Sequence, residues 1–113
     1  MMHVNSPDDQ SIEKLIVAKQ LTAPRITPAD IANNIVCENY FTAADAVKPV
    51  HQSHKLLTFC VLVLKNGFTV TGESACASPE NFDAEIGRRI AKENAMEKIW
   101  PLMGYELRSK LAT

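Results

Sequence analysis

The stretch "GESACASPENFD", residues 72–83, sets Ser74, Cys76 and Ser78 among glycine and alanine directly before a helical run. Side chains of these types support three arrangements. A serine or cysteine attacks an acyl or phosphoryl centre when a base, an orienting group and an oxyanion hole stand beside it at a sharp strand-to-helix turn. A glycine-rich loop cradles phosphate through its backbone N–H groups. A strand also stays thin where another element packs closely against it.

A nucleophile is poorly supplied here. The G-x-S-x-G elbow lacks its second glycine, and His3, His51 and His54 all fall in terminal or loop-like segments. Cys76 sits in an apolar strand, where thiols are usually inert. Glu73 is the sole acid of that strand pair, and a lone strand carboxylate is more often solvated than catalytic. Gly67, Gly72, Gly87 and Gly104 are dispersed, without a G-x-x-x-x-G-K loop. His51 and His54 have no third ligand at metal spacing, and Cys37, Cys60 and Cys76 include no C-x-x-C pair. No catalytic residue, no metal and no cofactor is therefore expected, and the chain reads as a non-enzyme.

A different set gathers at the junction of strand and helix. Phe82 stands at the helix entrance, Arg88 and Arg89 lie one to two turns in, and Asn94 follows. An aromatic ring that stacks on a base, cations that meet phosphate and an amide that reads a base or ribose edge suit a nucleotide-like ligand. A structural reading is equally concrete. Phe82 would staple sheet to helix, the arginines would pair with Glu85 or Glu93, and Asn94 would bond to neighbouring backbone. The residues alone leave both open.

The elements that must hold this set are legible in outline. Ser6-Pro7-Asp8-Asp9 supplies a capping hydroxyl, a proline suited to the first helical position and acids for the first turn. A helix through about Lys19 follows, with Ile12, Leu15 and Ile16 on one face. Thr27-Pro28-Ala29-Asp30 repeats the start signal for a shorter helix carrying Ile31 and Ile35, with "TAPRIT" as linker. Residues 36–41 read as that helix's tail or as a strand with Cys37, Asn39 and Phe41 on one side, and Tyr and Phe favour the strand. "TAADAVKPVHQSHK" is loop-like.

Asn66-Gly67 between two β-rich runs signals a two-residue hairpin turn. That turn pairs Lys65 with Phe68, and so Val63 with Val70, Val61 with Gly72, Phe59 with Ser74 and Leu57 with Cys76 on the apolar face. The second face then carries Thr58, Cys60, Leu62 and Leu64, too apolar for a solvated sheet face, and a helix or a second subunit is expected to cover it. Cys60 and Cys76 point to opposite faces in this register. A strong helix over residues 83–100 sets Gly87, Ala91 and Ala95 at four-residue spacing for a close approach, and Pro101 begins a last segment to Leu111. The expected fold class is α+β: a small antiparallel sheet on a central hairpin (about 55–77), two short N-terminal helices and a C-terminal helical pair (about 82–111).

Composition bounds the rest. At 113 residues, 46% hydrophobic, 22% charged and net −1, the chain reads as a single domain over 1–113. No basic excess marks it for nucleic acid, and Arg88, Arg89 and Lys92 are interleaved with Glu85 and Glu93. The longest apolar run, residues 59–64, is far short of a membrane span. "MMHVNSPDDQ" has neither the cationic start nor the apolar core of a secretory signal, so the host-cell cytoplasm is the expected location.

The run "LKNGFTVTGESACASPENFDAEIGRRIAKENAMEKIWPLMGYELRSKL", with "LTAPRITPADI" upstream, resembles a small phage and prophage protein family first named from an N-four-type coliphage and a Shigella podophage. It is more distantly similar to the phage anti-defence proteins called Thoeris anti-defence protein one. Those are sponges that bind cyclic ADP-ribose isomers, some also binding cyclic oligonucleotides, and they work as oligomers. The resemblance implies a homo-oligomer that sequesters a nucleotide-derived signal, with Phe82, Asn94 and Arg108 as stacking, base-reading and phosphate-binding residues. Arg88 joins them from the junction itself. The competing expectation is an interaction protein that blocks a host protein through an apolar patch at Leu56, Leu62 and Leu64.

Overall fold

The computed structural model describes residues 7–113. Four helices and three strands follow in the order α1 (Pro7–Ala18), α2 (Pro28–Asn33), β1 (Ile35–Thr42), β2 (Leu57–Leu64), β3 (Thr69–Ala75), α3 (Ala84–Glu97) and α4 (Ile99–Leu111). The strands form one antiparallel sheet in the order β1-β2-β3. The class is α+β, with helical pairs at both ends of the chain.

The helix starts follow the chemistry of their first residues. Thr27 caps α2: its hydroxyl accepts from the Asp30 N–H at 3.1 Å, while the Asp30 carboxylate accepts from the Thr27 N–H at 2.9 Å. The Ser6 cap expected for α1 lies outside the described residues. Residues 36–41 belong to β1, and pairing of Asn39 with Val61 and Phe41 with Phe59 sets them on one side of the sheet. The loop between β1 and β2 is tightened by two 3-10 turns, Ala43–Asp45 and Gln52–Leu56.

At the hairpin the register differs by one residue from the two-residue turn. Leu62 pairs with Val70, Cys60 with Gly72, Thr58 with Ser74 and Leu57 with Ala75. The loop has three residues: Gly67 donates to the Leu64 carbonyl at 2.8 Å, and Leu64 donates to the Phe68 carbonyl at 2.8 Å. A type I′ turn needs positive φ at both central residues, but here only Gly67 takes it, at φ 89°. Asn66 instead accepts the Phe68 N–H on its side-chain oxygen at 2.9 Å. This is a type I turn closed by a glycine bulge, and the extra residue exchanges the faces of one strand relative to the other.

The shift brings Val70 and Gly72 to the face of Cys60, Leu62 and Leu64, where a helix was expected, and that helix is α3. Cys60, Leu62, Leu64 and Val70 lie buried beneath α3 with Ala91, Ala95, Met96 and Ile99, and Ile31 of α2 completes the cluster. The face expected to be apolar and buried, Leu57, Phe59, Val61 and Val63, is the one turned away from α3 and is only half-buried. Leu62 and Leu64 are covered by a helix and Leu56 is half-buried, so these three do not form an exposed patch. Cys60 and Cys76 share a face, since Cys76 donates its N–H to the Leu56 carbonyl. They stand four strand positions apart, about 13 Å, which still forbids a disulfide.

Gly72 allows α3 to lie on the sheet. A Cβ there would come within 2.2 Å of the Ala91 carbonyl oxygen and 2.3 Å of the Ala95 nitrogen. The helix ends earlier than residue 100, at Glu97, with Lys98 shared between α3 and α4. Pro101 explains the position: it has no N–H to give to the carbonyl of Glu97, and its ring crowds that carbonyl.

Candidate functional site

The junction of the sheet with α3 is built from small local devices. Asp83 caps α3 by accepting the Ile86 N–H at 3.0 Å. Phe82 precedes it, half-buried, after a 3-10 turn over Pro79–Asn81. One turn into the helix, a side chain at Gly87 would meet the Thr58 hydroxyl at 3.0 Å and the Phe82 ring at 4.0 Å. The bare backbone therefore lets the ring and the hydroxyl settle against the helix.

A cleft of about 140 Å³ opens beside Phe82, between the end of β1 and the first turns of α3. Its walls are Tyr40, Phe41, Thr42, Asp45, Thr58, Phe82, Ala84 and Arg88. Three aromatic rings, hydroxyls, one carboxylate and one guanidinium meet there. Among the described residues Arg88 has no ion-pair partner, unlike Arg89, which reaches Glu93 at 4.0 Å. Asp45 is already engaged, accepting from the Thr42 N–H at 2.8 Å.

A charged network backs the cleft. The Tyr40 hydroxyl donates to Glu38, whose other oxygen accepts from Lys92 of α3 at 3.0 Å. Tyr40's hydrogen bond and then Lys92's hold the Glu38 carboxyl below its usual range. Burial first, and the bond to Glu38 second, push the Tyr40 phenol upward, so it stays protonated and acts as a donor. Burial likewise raises the Cys60 thiol.

Of the residues singled out in the sequence, Phe82 and Arg88 share the cleft. Asn94 does not line it: its amide donates to the Glu73 carbonyl at 2.8 Å and pins α3 to the outer edge of β3. Arg108 lies exposed in the last turn of α4, also outside the cleft lining. On the other side of Phe82 a second cleft of about 280 Å³ runs between β3 and α3, and Ser74 and Cys76 line it with Ile86 and Ile90. The Cys76 thiol donates to the Ser78 carbonyl. No histidine stands in either lining. His51 and His54 instead cap the 3-10 turn before β2, each accepting a backbone N–H on Nδ1. No group of three potential metal ligands occurs among the described residues.

Sequence reasoning missed Glu38, Tyr40 and Lys92. Alternation along a strand puts Glu38 and Tyr40 on one face, so that pair was available as a signal. Lys92 joins them only through the packing of α3 across the sheet.

Fold and site together define an α+β protein whose sheet carries helices on one face and a small aromatic and cationic cleft at one end. Residues 26–111 match the phage protein (N4 Gp49/phage Sf6 gene 66) family, and the chain belongs to that family. No curated protein and no solved structure matches it. No helix among the described residues is long and apolar enough to cross a membrane.

Proposed function

We propose that this phage protein binds and sequesters a nucleotide-derived immune signal, a cyclic ADP-ribose isomer or a cyclic oligonucleotide, and releases it unchanged. The observation that carries this reading is the cleft shared by Phe82 and Arg88, which has no ion-pair partner among the described residues. One offers a π-face to a base; the other offers a planar fork of donors to phosphate. Tyr40, kept protonated with its hydroxyl given to Glu38, adds a neutral ring to the wall. At about 140 Å³ the cleft is smaller than the roughly 300–1,000 Å³ typical of whole small-molecule sites, so it suits one ring or phosphate of such a ligand. Asn94 and Arg108, implied by the distant resemblance, would then act away from this cleft.

Calorimetry with cyclic ADP-ribose isomers and with cyclic di- and trinucleotides tests the reading. Binding is expected to at least one, with the ligand recovered intact. Phe82→Ala and Arg88→Ala should each weaken it about tenfold or more without unfolding the protein, because stacking and a charge-assisted bond are each worth about 1–3 kcal/mol. Absence of heat with every ligand of both classes sinks the proposal.

A further inference from the structure

Among the described residues, few contacts beyond the buried Asp9 hold the N-terminal helix to the rest of the chain. α1 makes no extensive contact with any other helix or strand. It is fastened to the linker behind it, where Arg25 donates two hydrogen bonds of 2.7 Å to Glu13. Gln20, at φ 55°, and Leu21 close its end by donating to the Val17 and Ile16 carbonyls. The helix leaves Ile12 46%, Leu15 57% and Leu21 57% exposed, while Asp9 in its first turn is buried. A lone helix of this length is marginal in water without tertiary support.

The sheet has the converse deficit. Strand β2 is apolar on both sides, the pattern of a strand covered on both faces, yet among the described residues no helix lies over Leu57, Phe59, Val61 and Val63. Phe41 stacks on Phe59 on that same open side, with ring centroids 5.1 Å apart. The Cα radius of gyration is 16.8 Å, against about 13 Å for a compact chain of this length.

We propose that the open sheet face is covered by α1 of a second copy of this chain, given and received reciprocally to form a two-fold dimer. The dimensions agree. Twelve helical residues span about 18 Å, and the stripe from Leu57 to Val63 spans about 20 Å. The exposed stripe of α1 and Leu21 offers on the order of 300 Å² of apolar surface. Two reciprocal seats, counting helix and sheet, then bury roughly 1,200 Å², which reaches the range of specific interfaces. Charge agrees too: Lys19 follows Ile12 and Leu15 on one helix face, and Glu73 projects from the open face with no ion-pair partner for its carboxylate among the described residues. Exchange between two copies closes the symmetry and leaves no further seat. α1 lies before residues 26–111, the part matched to the family. It is independent of the ligand reading above.

Light scattering and sedimentation of the intact chain over a concentration series test it. A dimer is expected, weakened at least tenfold by Leu15→Asp and unaffected by Tyr105→Asp, a still more exposed position on α4. Leu15→Asp and Val61→Asp should each be monomeric alone and associate when mixed, because one keeps the face and the other the helix. Leu15→Cys should form a diamide-induced disulfide with Cys37 of the other copy, which lies beside Val63 on the open face, and lose it in a Cys37→Ser background. If Val61→Asp fails to fold, the cross-link decides. A monomer at every concentration overturns the proposal, as does a dimer insensitive to Leu15→Asp that yields no such cross-link.

Discussion

Replacing Gly72 by alanine adds one methyl group at the tightest point of the fold. The new carbon would stand 2.2 Å from the Ala91 oxygen and 2.3 Å from the Ala95 nitrogen. Ordinary contact begins at 3.4 Å, so α3 must retreat by 1.2 Å (3.4 − 2.2). Both opposing atoms are backbone, and no side-chain rotation relieves them. Retreat of α3 opens the layer of Cys60, Leu62, Val70 and Ala95 and stretches the Asn94 bond to Glu73. Inserted methylenes in packed cores cost about 1–3 kcal/mol where side chains can adjust. With a rigid backbone on the far side, the upper end, about 3 kcal/mol, is expected. The better strand propensity of alanine returns less than about 1 kcal/mol. Urea denaturation followed by circular dichroism reads this as a lower midpoint at unchanged slope, and Tm should fall by more than about 10 °C. Gly104→Ala is the control: it faces open space in α4 and should stabilise by up to about 1 kcal/mol. A Gly72→Ala protein within 0.5 kcal/mol of the parent would refute the close approach of α3 to β3.

Cysteine labelling should follow burial: in protein dilute enough to be monomeric, maleimide is expected to modify exposed Cys37 first and Cys60 only on unfolding, since Cys60 is buried and its thiol is pushed upward. Mass spectrometry of a short pulse reads the order, and early labelling of Cys60 contradicts the register. The Glu38 network should give an acid-dependent component of stability. Its carboxyl is depressed on folding, so the contribution is complete above the ordinary value of 4.5 and disappears as pH falls through the folded value. With Glu38 40% exposed, about 0.5–1 kcal/mol is expected. The difference between parent and Glu38→Gln in urea should therefore be constant from pH 6 to 8 and close below about pH 4.5.

Much of the fold was legible because it rests on local rules. Thr27-Pro28-Ala29-Asp30 is a capping box wherever it occurs, and α2 starts there. Gly87, Ala91 and Ala95 at four-residue spacing announced a helix face for close packing, and these are buried against the sheet. Pro101 announced a break, which fell a few residues earlier because its missing N–H concerns the carbonyl of Glu97. Phe82 and Arg88 were legible as a pair because both lie at one junction.

The hairpin was not settled by the same rules. Asn66-Gly67 is compatible with two loop lengths that differ by one residue, and both satisfy the turn. The choice lies in what packs above. The three-residue loop brings Gly72, Cys60 and Leu62 to one side, where α3 needs a bare backbone and an apolar layer. Local chemistry in the sequence thus determined which segments are helices and strands and where they begin. Only tertiary packing decided which sheet face is the core, that Asn94 is a fastening rather than a cleft residue, and that Lys92 meets Glu38. Such contacts join residues far apart in the chain, and no local propensity encodes them.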